Sequence, residues 1–279
     1  MPIYEKDYLM EVSLKIEFAQ SLDLEKEDGS KNFEKIFRER FPVSAFENNY
    51  FEDGEYKGKV WIYQERDKQI QLNDSFLELI YTKGGYKDKE ELFEDVNLIT
   101  EALNENEVEE AKYIGLRFIN EIIPKDDGEI ENLDEWINPL LINNNLKISD
   151  SQLIRGMSKN EYLIDDYFLN FQFGQYNFNY PNSFIIDNFI LDYECYIKWE
   201  DTRYLNKSVK KMHEIINEFF EKSIGAELRK KYGFDKMNDK LNFKNNTESQ
   251  YLKDKNKPLV KTNKYKNGKP HIIKKIYTY

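Results

Sequence analysis

Cysteine is almost missing from this chain. Cys195 is the single one, so an intramolecular disulfide is impossible and a cysteine-clustered metal site has no material. Histidine is nearly as scarce, with His213 and His271 alone, which leaves one conceivable Cys–His dyad, Cys195 with His213. No run approaches the ~18 apolar residues that a membrane helix needs. The opening residues, MPIYEKDYLMEV, lack the basic and apolar regions of a signal peptide. Phosphate loops of the Walker type, Gly-x-Gly-x-x-Gly, Gly-x-Ser-x-Gly and His-Glu-x-x-His are likewise not found. These absences lead to the expectation of a cytoplasmic protein in a reducing compartment, away from membranes and without a cofactor.

What is present is aromatic and charged. Tyr (20) and Phe (19) supply most of the 15% aromatic content, enough to build a core despite a charged fraction of 33%. At 279 residues the chain suffices for one large or two medium domains without staples. Its net charge of -11 is unevenly distributed. From Leu228 onward fifteen basic residues face four acidic ones, a net of +11, which leaves -22 on the first 227 residues. The basic end includes Lys253, Lys255, Lys257, Lys261, Lys264, Lys266, Lys269, Lys274 and Lys275, interleaved with tyrosines. Such a tail suits docking on an acidic surface of the same chain, on a second copy, or on a polyanion.

Periodicity supplies the elements. In YLMEVSLKIEF, Tyr8, Met10, Val12, Leu14, Ile16 and Phe18 alternate with Glu11, Ser13, Lys15 and Glu17, predicting a half-buried strand. Ser30 as a cap, Phe33, Ile36 and Phe37 as a stripe and Pro42 as a stop predict a short helix. KVWIYQERDKQIQLNDSFLELIYTKGG predicts two or three strands with a turn at 65–68, and Leu92, Val96, Ile99 and Leu103 mark a helix over 87–104. YIGLRFINEI has two mostly apolar faces and reads as a central strand. A short helix at 133–141, strands at 162–173 and 184–199, and a helix over 205–231 follow.

The expected fold is therefore α+β, antiparallel sheets covered by helices, with two related β-α-β-β-type halves possible, a long C-terminal helix and a basic tail. The corresponding divisions are 1–124, 125–233 and 234–279.

Four residues stand out as candidate binding groups. Arg117 lies in an apolar strand, where an unpaired guanidinium is costly. It reads as an ion-pair partner, for which Glu90, Glu91, Glu94 and Asp95 are available, or as an anion site. Asp192 and Glu194 share a strand face, as a metal-dependent nuclease site would require, with Asp165, Asp166, Glu200 or Asp201 as a third ligand; a solvated face explains the pair equally. His213, among Val209, Ile216 and Phe220, reads as a hydrogen-bonded imidazole at the core edge. Asn120 follows Arg117 by three residues. No catalytic residue and no metal ligand emerge.

KYIGLRFINEI, the early EVSLKIEF strand, the VWIYQERDKQIQL hairpin, ELIYTK, LDYECYI and the KMHEIINEFFEKSIGAELRKKYG helix occur in that order. Over residues 3–233 this arrangement resembles a sporadically distributed prokaryotic family with a Gly-Leu-Arg-aromatic-x-Asn strand and a late His-x-x-Ile-x-x-x-Phe helix. The resemblance maps the recurrent positions onto Gly115, Leu116, Arg117, Asn120, Asp192, His213 and Phe220. It implies a setting in mobile-element or phage conflict and no particular activity. The expected function is an interaction or accessory protein whose partner is another protein or a second copy. The alternatives are nucleic-acid binding through the tail and a metal-dependent enzyme with an acidic site.

Overall fold

The computed structural model describes residues 8–26, 29–50, 56–123, 125–126, 129–130, 133–142, 155–176 and 188–231. The basic tail, with His271 and its lysines from Lys253 to Lys275, lies outside the described residues, as does the loop expected around 174–183 beyond Tyr176. One compact unit, Met1–Phe234, contains everything described.

The chain begins with β1 (Leu9–Phe18), then α1 (Lys31–Phe37), β2 (Val43–Tyr50), β3 (Tyr56–Glu65), β4 (Lys68–Leu72), β5 (Phe76–Tyr81), α2 (Lys89–Glu105) and β6 (Glu110–Ile122). After the two-residue strands β7 (Lys125–Asp126) and β8 (Glu129–Ile130) come α3 (Leu133–Trp136), α4 (Pro139–Ile142), β9 (Arg155–Ile164), β10 (Tyr167–Tyr176) and β11 (Phe189–Ile197). β12 (Glu200–Asp201), a 3-10 turn, α5 (Leu205–Ser223) and α6 (Ala226–Lys231) close the described chain.

One antiparallel sheet in the order β2-β3-β4-β5-β1-β6-β11-β10-β9 dominates, and β12 extends the pairing on β6. The two halves expected on either side of residue 124 thus contribute to the same sheet, joined along β6 and β11. All the larger helices lie on one face. Phe37 of α1 meets the Tyr63 ring at 5.2 Å, Phe219 of α5 packs on Tyr162 and Phe171, and Phe220 on Tyr193. The buried residues of α2, Leu92, Val96, Ile99 and Leu103, form its predicted stripe. Among the described residues, no helix packs on the opposite face.

Several elements depart from expectation for local reasons. A register shift between Leu9 and Glu11 turns Leu9 into the core and leaves Met10 only half-buried, so the predicted alternation holds from Val12 onward. Ser30 stands at the helix start with helical dihedrals and makes no capping bond. The span 162–173 is a hairpin, not one strand: Asp165 takes the left-handed φ of 54° at its tip, a conformation aspartate tolerates better than most residues. The last helix breaks at Ile224–Gly225, where the Gly225 N–H bonds to the Trp136 carbonyl at 2.7 Å and a Cβ would strike the backbone of Glu135. The 133–141 helix is two single turns.

Candidate functional site

Alternation along β6 decides which candidates meet. Ile114, Leu116, Phe118 and Asn120 point towards the helices and are buried, while Tyr113, Gly115, Arg117 and Ile119 point to the helix-free face. Asn120 donates to the Leu191 carbonyl at 3.1 Å, satisfying a buried amide inside the core. His213 lies on the same side: its Nε2 is 3.3 Å from the Tyr86 hydroxyl, and its ring meets those of Phe93 and Phe118. This is the core-edge imidazole its sequence position predicts. Cys195 faces the core too, and burial pushes its thiol up to about 12, so it keeps its proton at neutral pH.

Arg117 and Asp192 are brought together across β6 and β11. The Arg117 Nε and Nη2 donate to the two carboxylate oxygens of Asp192 at 2.9 and 2.7 Å, a bidentate pair. The guanidinium is held protonated chiefly by this bond, well above its already high ordinary value. One expectation is corrected here: the partner is not on the acidic helix, which lies over the other face of the sheet. Arg117 is half-buried, with 42% of its side chain exposed, while Asp192 keeps only 11%.

The carboxylates of α2 serve a different cluster. Asp95 is fully buried, bonded to Lys68 at 3.2 Å and the Tyr81 hydroxyl at 2.6 Å, and paired with Arg40. Burial raises its pKa, and the bonds from Tyr81, Lys68 and Arg40 oppose that rise. Lys68 also reaches Glu91 at 3.0 Å and lies over the Phe41 ring.

Around Arg117 the helix-free face is polar and ordered. Glu194 accepts from the Tyr113 hydroxyl at 2.7 Å and from Asn170 at 2.8 Å. Tyr113 lies along its own strand over Gly115, where a Cβ would meet the phenol ring unless that ring moved. Beside them Lys15 pairs with Glu17 at 2.8 Å, and Lys112 approaches Glu17 at 3.6 Å. Arg117, Lys15 and Lys112 are thus met by carboxylates of the face, whereas Lys198 lies over the Phe168 and Tyr196 rings. Glu11 on β1 and Glu78 on β5, in contrast, have no hydrogen bond or ion pair among the described residues. Burial raises the Glu78 pKa, with Lys15 and Arg117 lowering it and Glu11 raising it further. Asp192 and Glu194 are thus hydrogen-bond acceptors for neighbouring strands, and among the described residues no three His, Cys, Asp or Glu side chains are grouped to hold a metal ion.

Sequence reasoning passed over Glu11, Glu78, Tyr113 and Asn170 as site residues. The β1 alternation put Glu11 and Ser13 on one face, but no signal in the chain tells that β5 and β6 flank that strand.

No protein-family model matches the sequence, and no curated protein does. Two solved structures, crystal forms III and I of TP0453, are similar to this chain at 10% and 11% identity. They cover 72% and 73% of it and 94% of their own chains, with a TM-score of 0.15 for each. A superposition that poor bears on neither fold nor function.

Proposed function

We propose that this chain is an intracellular accessory protein that binds another protein, receiving a basic surface on the helix-free face of its sheet. One observation carries the reading: Arg117 and Lys15 near the middle of that face are paired with Asp192 and Glu17, while Glu11 and Glu78 on neighbouring strands make no ion pair among the described residues. A half-buried surface with surplus carboxylates, in a body carrying -22, attracts and orients a cationic partner. The family resemblance supports a setting in mobile-element or phage conflict.

A photo-crosslinking residue in place of Gln71, which is paired with Glu78 in the β4–β5 register, tests this in the native cell. A discrete protein adduct is expected, lost in the double variant Glu11→Lys/Glu78→Lys and retained in Glu101→Lys/Glu105→Lys, whose charges lie exposed on α2. Absence of an adduct, or one indifferent to the first reversal, rejects the reading.

Nucleic-acid binding through the tail is the second reading, favoured by the fifteen basic residues from Leu228 onward and the tyrosines between them.

A further inference from the structure

The sheet ends in two edge strands, β2 and β9, and they are built differently. β2 carries a register shift between Asn49 and Tyr50, the kind of bulge that keeps an edge from pairing further. β9 instead runs opposite β10 over all ten of its residues without a shift, contains no proline, and has no described strand along its outer side. The two-residue turn at Asp165–Asp166 makes Ile164 and Tyr167 a hydrogen-bonded pair. Alternation from there leaves the backbone N–H and C=O groups of Met157, Lys159, Glu161 and Leu163 facing outward. Their side chains lie on the helix-free face, since their β10 partners stand opposite Ile190, Asp192, Glu194 and Tyr196. All four are exposed, Met157 by 40% and Leu163 by 47%.

Those four residues are complementary to themselves. An antiparallel partner must set outward-facing residues opposite one another, so a two-fold axis near the middle of the strand falls at Lys159, Asn160 or Glu161. An axis at Lys159 opposes that lysine to its own copy, and one at Glu161 opposes two carboxylates; like charges directly opposite destabilise a ladder. An axis at Asn160 instead sets Lys159 against Glu161 and Met157 against Leu163, each twice. Lys159 makes no ion pair among the described residues, and Glu161 accepts from the Tyr196 hydroxyl through one oxygen, at 3.2 Å. A lone lysine guards an edge against pairing, but Glu161 two places on makes it half of a matched set. We propose that β9 pairs antiparallel with β9 of a second copy about a two-fold axis at Asn160, forming a homodimer with one continuous sheet. Four hydrogen-bonded residue pairs supply about eight backbone bonds. The assembly closes at two, because the axis occupies this edge of both copies, whereas pairing of β9 with β2 would leave open ends. The interface uses a sheet edge and does not depend on a basic partner.

Sedimentation equilibrium of the full-length protein over a wide concentration range at physiological salt tests the pairing. A reversible monomer–dimer equilibrium is expected. Lys159→Glu and Glu161→Lys should each weaken it by roughly tenfold, since either one opposes like charges twice. Mixing the two variants in equal amounts should restore dimers of wild-type affinity, because every glutamate then meets a lysine. Both positions are exposed, so the variants fold. The register has its own readout: Asn160→Cys should form a disulfide-linked dimer on mild oxidation, as its two copies face each other about 4.5 Å apart between Cα atoms. Ser158→Cys should not, its two copies being roughly 13 Å apart along the strands, and the buried Cys195 stays out of either reaction. A monomer at every concentration overturns the proposal, as does a dimer indifferent to both charge reversals or not restored by mixing. A link through Ser158→Cys and none through Asn160→Cys overturns the register. Growth beyond the dimer overturns the two-fold arrangement and identifies head-to-tail edge pairing instead.

Discussion

At the scale of single residues, the chain spends stability on one carboxylate. Glu78 is half-buried and unpaired, and its pKa is raised by burial, so the folded protein holds its proton more tightly than the unfolded chain does. Above both pKa values the charged form is penalised in the fold; as pH falls through the raised value the penalty is relieved, and below the unfolded value, near 4.3, it is gone. Glu78→Gln should therefore stabilise the protein at pH 7 by roughly 0.5 kcal/mol, a figure already reduced for solvent screening, or about 1–2 °C in Tm. The gain should vanish in melts at pH 4. A variant less stable than wild type at pH 7 would show that Glu78 has a partner after all. Other residues were readable in part: the apolar surroundings of Arg117 called for an ion-pair partner or an anion, and the structure gives it a carboxylate. Which carboxylate was not readable, because Asp192 is 75 positions away and meets it only through the β6–β11 register.

Elements were legible where periodicity was strong. β1, α2, β6 and α5 each carry a strong apolar stripe, and β1, α2 and β6 were predictable within a few residues, whereas α5 starts where expected and ends at Ser223, short of 231. β2 was not, since every described side chain along it is exposed, including Phe46 at 60%, and an edge strand without a buried face leaves no alternation to find. The β9–β10 hairpin was hidden because its turn, Asp165–Asp166, sits inside a continuous run of strand-forming residues. The Arg117–Asp192 pair belongs to this scale, because it fastens β6 to β11 where the two parts of the sheet join. Arg117→Met leaves Asp192 nearly buried without its partner, and should cost about 2 kcal/mol, below the 3–5 typical of fully buried pairs because the arginine is half-exposed. Arg117→Met/Asp192→Leu should recover most of that loss in denaturant melts. If the single variant melts with wild type, the pair contributes nothing to holding the strands.

At the scale of the whole molecule, charge separates an acidic body from a basic end. Removal of residues 234–279 should leave a cooperatively folding protein, since the unit that holds every described residue spans Met1–Phe234. If the tail serves protein contacts, as we expect, full-length and truncated proteins should retard single-stranded RNA equally poorly in gels, because a body of -19 over residues 1–233 repels phosphate. Retardation that requires the tail and falls steeply with salt would make nucleic-acid binding the leading reading. By itself the sequence determined the α+β class, the aromatic core, the charge division and the need to pair Arg117, because composition and periodicity act locally along the chain. Only the tertiary structure decided that one sheet joins both parts, with its first strand near the middle. It also decided that Arg117 and His213 face opposite sides of β6. Those facts depend on strand order, and the pairing of β1 with β5 and β6, across some sixty to a hundred residues, leaves no periodic trace in either partner.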